Sequence, residues 1–400
     1  MEKISNGKRG ALALAAMMVA AFAARMVYLA QLSASEIGQV LPLDMVFYRD
    51  LAVRMVSSGA LPPGPISFNP LYPVFLTVVF SLAGDALLPV RVIQSLLGVF
   101  NIWVVYLGAK MLARSLWGGS GRVEAAALLA AFLTAFYSQL PLYEGSLLGT
   151  TLVTVILTAA FTLAMSIDRG LATTSSQEGR AGGRVPGWAK VSALGLLAGM
   201  GALGRPNLFL LLVPSLPVLL YLRAGRGVRG VRLALVCAAG SLVMLAPPVA
   251  YNAWKTGEFV PVSTHGGINF YIGNRHEATG IYEPPEGMRS DMRGLLEDAR
   301  MIAGRESGLE MSDAEASDFW MEQARTRIVT DPLGWLGLLG RKFVLFWNGK
   351  EVSDIVDYSI FSGECPALRI FFVPFALISA LALPGLALLI LLRRARAVTL

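Results

Sequence analysis

Charge is what this 400-residue sequence most lacks: 15% of its residues are charged, against 55% that are apolar. A soluble domain carries about 25% charged residues and about 45–50% apolar ones. A soluble chain of this length would need polar surface for two or three domains. The deficit excludes that architecture, along with disorder, collagen and coiled coil, and leaves a polytopic membrane protein. Cysteine and histidine are scarce as well, with two of each. That excludes a disulfide scaffold, a cysteine-based metal cluster and a histidine-rich metal site. The charge present is unevenly placed. Between Tyr251 and Pro366 stand 18 Asp/Glu and 11 Lys/Arg, whereas the rest of the chain holds 9 acids against 23 Lys/Arg. The net charge of +7 therefore reflects basic loops between apolar helices, and no nucleic-acid partner is expected.

A bilayer core of roughly 30 Å needs about 20 apolar residues per helix. Stretches that qualify are Gly10–Leu32, Pro89–Leu112, Val123–Leu140, Leu147–Ile167, Val191–Leu203, Pro206–Leu222, Val231–Ala250 and Leu368–Leu392. A ninth, Pro70–Ala83, is shorter. Basic clusters fall at Lys3/Lys8/Arg9, Lys110/Arg114/Arg122, Arg169/Arg180/Arg184/Lys190, Arg223/Arg226/Arg229/Arg232 and Arg393/Arg394/Arg396. The positive-inside rule wants all five in the cytoplasm, and they all reach it only if Pro70–Ala83 lies along the outer interface. The expected fold is thus an all-α polytopic membrane protein of about eight spans. Residues 1–250 form the membrane module, with two interfacial helices in the outer loop 33–88. A small α or α+β extracytoplasmic domain follows at 251–366, and the last span and a basic tail at 367–400. The first apolar run is longer than the roughly 7–15 residues of a signal peptide. Ala172–Arg184 reads as a flexible cytoplasmic loop, and no internal repeat suggests inverted transporter halves.

Chemistry is therefore sought on the outer side. In Asp44–Ser58, Phe47/Tyr48, Leu51/Ala52 and Met55/Val56 recur at helical spacing, with Arg49, Asp50, Arg54 and Ser57 opposite. Gly59 and three following prolines end that helix. Asp44 is placed to cap it, a role compatible with acting as a base. Asn69-Pro-Leu-Tyr72-Pro73 opens the second interfacial piece. Glu144, at the outer end of a span, is either a solvated turn acid or part of a site. Arg205, in Gly204-Arg-Pro-Asn207, stands on the side the rule disfavours; it either snorkels to headgroups or meets an anion. Its planar fork of donors suits a lipid phosphate. Arg25, in the outer half of the first span, poses the same choice. Ser312 with Glu315 reads as a capping box opening a helix through Ile328, stopped by Asp331-Pro332. Leu333–Trp347 reads as an amphipathic piece lying on the membrane. His265 and His276 are expected to be surface residues, and Cys237 and Cys365 are not expected to pair.

In their shared order, four segments resemble the C-type superfamily of integral-membrane glycosyltransferases. These are Asp44-Met-Val-Phe-Tyr48-Arg-Asp-Leu-Ala52, Asn69-Pro-Leu-Tyr72-Pro73, Gly204-Arg-Pro206 and Gly266-Gly-Ile-Asn-Phe-Tyr-Ile-Gly-Asn274. The likeness is to bacterial relatives of protein O-mannosyltransferases and lipid A aminoarabinose transferases. It implies that a sugar passes from a polyprenyl-phosphate carrier to a lipid, protein or glycan acceptor at the outer face of the plasma membrane. It makes Asp44 the catalytic base, sets Arg205 on the carrier phosphate, and gives Glu144, Tyr48, Tyr72 and Arg25 contacts to substrate. No metal ligand is indicated and the cofactor is left unknown. Relatives continue with several spans beyond the counterpart of Arg393-Arg394, a departure that keeps a non-catalytic assembly protein of this fold among the readings.

The residues fit such chemistry by themselves. Phosphate leaves as an anion without a general acid, so one carboxylate base suffices, with donors to meet the charge growing on the leaving group. A lone base attacking opposite the leaving group inverts the anomeric carbon. A lipid transporter or flippase would instead place ionisable residues at the middle of several spans. For topology, Ala83→Cys in a background without native cysteine is expected to react with a membrane-impermeant thiol reagent added outside. Protection of that position would restore the nine-span arrangement.

Overall fold

In the computed structural model every apolar stretch above contains helix, as a membrane demands, because lipid offers no partner for a free backbone N–H or C=O. The structure describes residues 2–61, 66, 68–118, 121–175, 187–257, 260, 263–349 and 352–392. It is 78% helix, with no strand among the described residues; the α+β alternative for the segment after residue 250 is therefore replaced by helices and turns. In chain order come α1 (Glu2–Ala34), α2 (Asp44–Ser58), α3 (Leu71–Ala83), α4 (Leu87–Trp117), α5 (Gly121–Ala135) and α6 (Gln139–Glu144). Next are α7 (Thr150–Ser175), α8 (Trp188–Gly204), α9 (Asn207–Leu212), α10 (Ser215–Arg223), α11 (Val228–Thr256) and α12 (Gly266–Asn274). The chain closes with α13 (Met292–Ser307), α14 (Asp313–Thr330), α15 (Pro332–Trp347), α16 (Tyr358–Glu364), a 3-10 turn (Pro366–Ile370) and α17 (Phe375–Leu392). Most of the loop expected at 172–184, prolines 62, 63 and 65, and the last basic cluster lie outside the described residues.

Four helical segments are long and apolar enough to cross a membrane: Lys8–Ala34, Leu87–Trp117, Thr150–Ala172 and Val228–Lys255. They point to a membrane-embedded protein. The other four stretches expected to span form shorter helices. At 1.5 Å per residue, the 15 residues of α5 reach only about 22 Å, less than the hydrocarbon thickness. The 13 residues of α3 reach about 20 Å, also less than that thickness.

The chain divides into two compact units: one holds residues 1–39, 87–246 and 359–400, the other 40–86 and 247–358. The change of unit after Ala246 coincides with Pro247-Pro248 inside α11, where two ladder hydrogen bonds are lost. In the first unit α4 is central and packs against α1, α5, α6 and α7. In the second, α2 pairs with α3, and α12, α13 and α14 share a core of Ile268, Ile272, Leu295, Ala299, Ala316 and Trp320. Trp320 donates its indole N–H to the Ala299 carbonyl at 3.0 Å.

Local signals explain the second unit's helix ends. The Ser312–Glu315 capping box forms and opens α14, Asp331 ends it and caps α15, and Gly59 closes α2 in the left-handed conformation at φ 61°. The buried stripe of α2 is Met45, Tyr48, Leu51 and Ala52, while Val56 turns outward. The Gly266–Asn274 motif proves to be a packing helix. A side chain on Gly267 would lie 1.7 Å from the Ser317 carbonyl oxygen, so only glycine lets α12 approach α14. Asn274 accepts from the Trp335 indole at 2.9 Å and Gly273 from Lys342 at 2.5 Å. These bonds pin α15, whose Leu333, Leu336, Phe343 and Phe346 are exposed.

His265 corrects the surface expectation. It is only 7% exposed, because it sits at the N-cap of α12 against that core, whereas His276 is exposed. Burial alone pushes the His265 imidazole down from 6.5 to about 4, because a charged ring loses its hydration there. Between pH 6.5 and 4 the unfolded chain takes up a proton that the folded protein refuses, so stability falls with pH across that window, by up to about 3 kcal/mol. Thermal unfolding at pH 7 and 4.5 is expected to show a larger loss for the wild type than for His265→Gln. Equal losses would mean that the ring is not held neutral.

Candidate functional site

The backbone reaches Asp44 through a strained residue. Leu43 has φ 45° and ψ −115°, a conformation that costs a residue with a Cβ about 1–3 kcal/mol. Leu43 occupies the N-cap of α2 and makes no side-chain capping bond. This corrects the capping expectation: Asp44 is the first helical residue. Its carboxylate stands in the first turn, where the helix dipole favours negative charge. Asp44 is partly buried. Around it lies a group that sequence reasoning missed. Burial first, and then the charges of Asp44, Asp354 and Asp291, push the Tyr282 phenol above its ordinary range. Tyr282 donates to the Ser290 carbonyl at 3.4 Å, and Asp291 caps α13 by accepting from the Gly294 amide at 2.9 Å. No signal short of the fold could have joined these residues to Asp44, because they come from positions about 240 to 310 further on. Among the described residues no three His, Cys, Asp or Glu are placed to share a metal ion.

Tyr48 and Tyr72, expected at the substrate, form the seam between α2 and α3. Their rings meet edge to face at 5.4 Å, with 6% and 2% of their surfaces exposed. Phe47 continues the seam to Phe68 at 5.8 Å. Such pairs contribute about 0.5–1.5 kcal/mol beyond their burial. As placed, the two tyrosines set the position of the helix that begins with Asp44 and offer a ligand little surface of their own.

Arg25 and Glu144 belong to the other unit, where they meet. Arg25 Nε donates to Glu144 Oε2 at 2.6 Å and its Nη2 to Oε1 at 3.0 Å. Side-chain exposure is 0% and 1%. The remaining guanidinium nitrogen donates to the carbonyls of Ala21 and Ala135 at 3.2 and 3.3 Å, and Phe371 lies over the cation at 5.1 Å. Glu144 is therefore not a solvated turn acid, and the pair as placed presents neither charge to a ligand. The face of α4 beneath it carries Arg91, Gln94, Gly98 and Asn101, all buried. Gln94 donates to the carbonyls of Glu144 and Ser146, both at 2.8 Å, and Arg91 to those of Gly145 at 2.8 Å and Gly38 at 2.6 Å. Gly98 makes room for the carboxylate: a Cβ there would stand 1.9 Å from Glu144 Oε1.

Arg205 is the C-cap of α8, its amide donating to the Gly201 carbonyl at 2.9 Å. Its side chain is exposed, and no carboxylate pairs with it among the described residues. A guanidinium so presented is available to an anion. Compared with known proteins, the chain matches no family model, no curated protein and no solved structure.

Removing one partner of a buried ion pair strands the other charge, at a cost of about 3–5 kcal/mol, whereas replacing both by apolar side chains can be nearly neutral. Glu144→Gln is accordingly expected to lose about that much stability in detergent or bicelle unfolding, and Arg25→Met with Glu144→Leu to lose less. A double variant as unstable as the single one would show that the charge itself is not what matters.

Proposed function

We propose that this protein is an inverting glycosyltransferase that moves a sugar from a polyprenyl-phosphate carrier to an acceptor hydroxyl. The observation that carries the reading is Asp44: a partly buried carboxylate that begins an intact helix, behind a strained Leu43, shortly after the first long apolar helix. In this reading Asp44 takes the proton of the acceptor O–H as the acceptor oxygen bonds to the anomeric carbon. The bond from that carbon to the phosphate oxygen breaks with its electron pair, and the phosphate leaves as an anion. Arg205 meets the leaving charge with its two-pronged fork. Tyr48 and Tyr72 serve by fixing α2 on α3, and Arg25 with Glu144 by fixing the helices of the first unit.

The shorter apolar helices α5, α8, α9 with α10, and α17 cross the membrane alongside the four long ones in this reading, giving eight spans in the plasma membrane. The long acidic segment then lies outside with α2 and α3 at the outer interface. The exposed apolar side of α15 rests on the lipid, as amphipathic helices do.

Purified wild type and Asp44→Asn, each given a labelled polyprenyl-phosphate sugar and a cell-envelope extract as acceptor, test the proposal. A positioned base contributes about 10²–10⁴-fold, so a loss of that size is expected with folding unchanged. Equal transfer by both would remove Asp44 as the base. Transfer by neither would favour a non-catalytic assembly protein, and carrier movement across the bilayer without transfer a flippase. Arg205→Ala is expected to weaken carrier use far more than Arg205→Lys; equal effects would mean that Arg205 only snorkels.

A further inference from the structure

Away from Asp44, the second unit contains a groove of about 870 Å³. It runs between the C-terminal half of α2, the last turn of α11 and the outer side of α13. Asp44 is not among its lining residues; Arg54, which is, stands ten residues further along α2, about 15 Å away. Four cations line the groove: Arg54, Lys255, Arg293 and Arg300. Two carboxylates do so as well, Glu297 and Asp313, and both have cations of their own. Glu297 is held by Arg289 at 2.9 Å, from outside the lining, and Asp313 faces Arg300 at 3.9 Å. That leaves Arg54, Arg293 and Lys255 with no carboxylate partner among the described residues. Lys255 rests over the Trp254 ring at 4.2 Å. Three like charges gathered on one cavity repel one another and concentrate a positive field within it.

The floor is apolar. Leu51 and Phe68 are buried there, and Phe47 and Met55 pack against them. The cations and the floor together select the occupant. A lone carboxylate carries one charge and would be satisfied by one guanidinium; three unpaired cations match the greater charge of a phosphate monoester, which Arg binds through two parallel N–H···O bonds. A volume of this size is that of a whole small-molecule site, far more than a bare phosphate fills. We propose that the groove formed by Arg54, Arg293 and Lys255 over Leu51 and Phe68 is a binding site for the phosphate headgroup of an amphiphile, whose first chain atoms lie on the apolar floor. Arg205, to which the carrier phosphate is assigned above, is not among the groove's residues, and the test reads binding and not transfer, so either proposal can fail alone.

The full-length protein in a neutral maltoside detergent is titrated with dihexanoyl phosphatidic acid, dihexanoyl phosphatidylcholine and inorganic phosphate, followed by tryptophan fluorescence and calorimetry. Phosphatidic acid is expected to bind at least tenfold more tightly than either of the others. Arg54→Gln and Arg293→Gln are each expected to weaken it about tenfold, the lysine variants less, and Arg205→Ala not at all. Equal binding of phosphatidic acid by the wild type and the Arg54→Gln/Arg293→Gln double variant would overturn the site. Phosphatidylcholine binding as tightly would overturn the headgroup assignment, and inorganic phosphate binding as tightly would replace the amphiphile by a free anion. Loss of binding in Arg205→Ala would move the lipid phosphate to Arg205.

Discussion

A guanidinium with no exposed surface, gripped by a carboxylate with almost none, organises the first unit. Arg25 comes from α1, Glu144 from the end of α6, the accepting carbonyls from Ala21 and Ala135, and the covering ring from Phe371. Each charge would be intolerable there without the other, so the elements that supply them cannot drift apart independently. A pair of this kind adds little net stability over a packed apolar core, yet it penalises every arrangement that separates its members. The polar side of α4 extends the same logic. Three successive carbonyls, those of Glu144, Gly145 and Ser146, each receive a side-chain donor from Gln94 or Arg91. The carbonyls of this irregular turn buried among helices are thus supplied with donors, as their surroundings require.

The second unit is built differently. Its core is a conventional apolar one, and its few buried charges, Arg275 and Asp298 among them, are tied to neighbouring loops. Asp298 anchors Arg289 through the backbone amide at 2.8 Å and the side chain at 2.9 and 3.0 Å. Asn252, buried at the end of α11, accepts the Ile66 amide at 2.7 Å and so ties the segment after α2 to a residue 186 positions away. Along α2 the chemistry changes sign: the first turn holds a carboxylate among other acids, and the last turns present Arg54 to a groove of cations. One helix thereby separates two environments of opposite charge by about three turns.

Much of this was legible from local pattern. The limits of α2, the glycine that closes it, the capping box of α14 and the Asp331-Pro332 stop are written in adjacent residues, where capping and periodicity act. The errors share one physical origin. For Glu144 the choice between a turn acid and a site residue stayed open because its partner lies 119 residues away, beyond any periodicity. Tyr282, Asp291 and Asp354 gave no sign of belonging with Asp44, and His265 looked exposed because nothing local announces a packed helix around it. The capping role assigned to Asp44 failed by a single position, through a backbone angle at Leu43 that residue preference argues against. The count of spans rested on apolar length, and several of those stretches are interrupted or begin late, as Pro214 separates α9 from α10.

The pairing of Arg25 also constrains the order in which the protein can be made. Ribosomes add about 5–20 residues per second, so roughly 6–24 s pass between the synthesis of the arginine and that of the glutamate 119 residues later. The ring that covers the cation comes later still. Throughout that interval an apolar helix bearing a naked charge has no internal counter-ion, and a long basic side chain in that position reaches for water or headgroups. The first helix therefore takes up its final register only when the end of α6 arrives. Biogenesis of this unit closes backwards, with a late segment completing an early one.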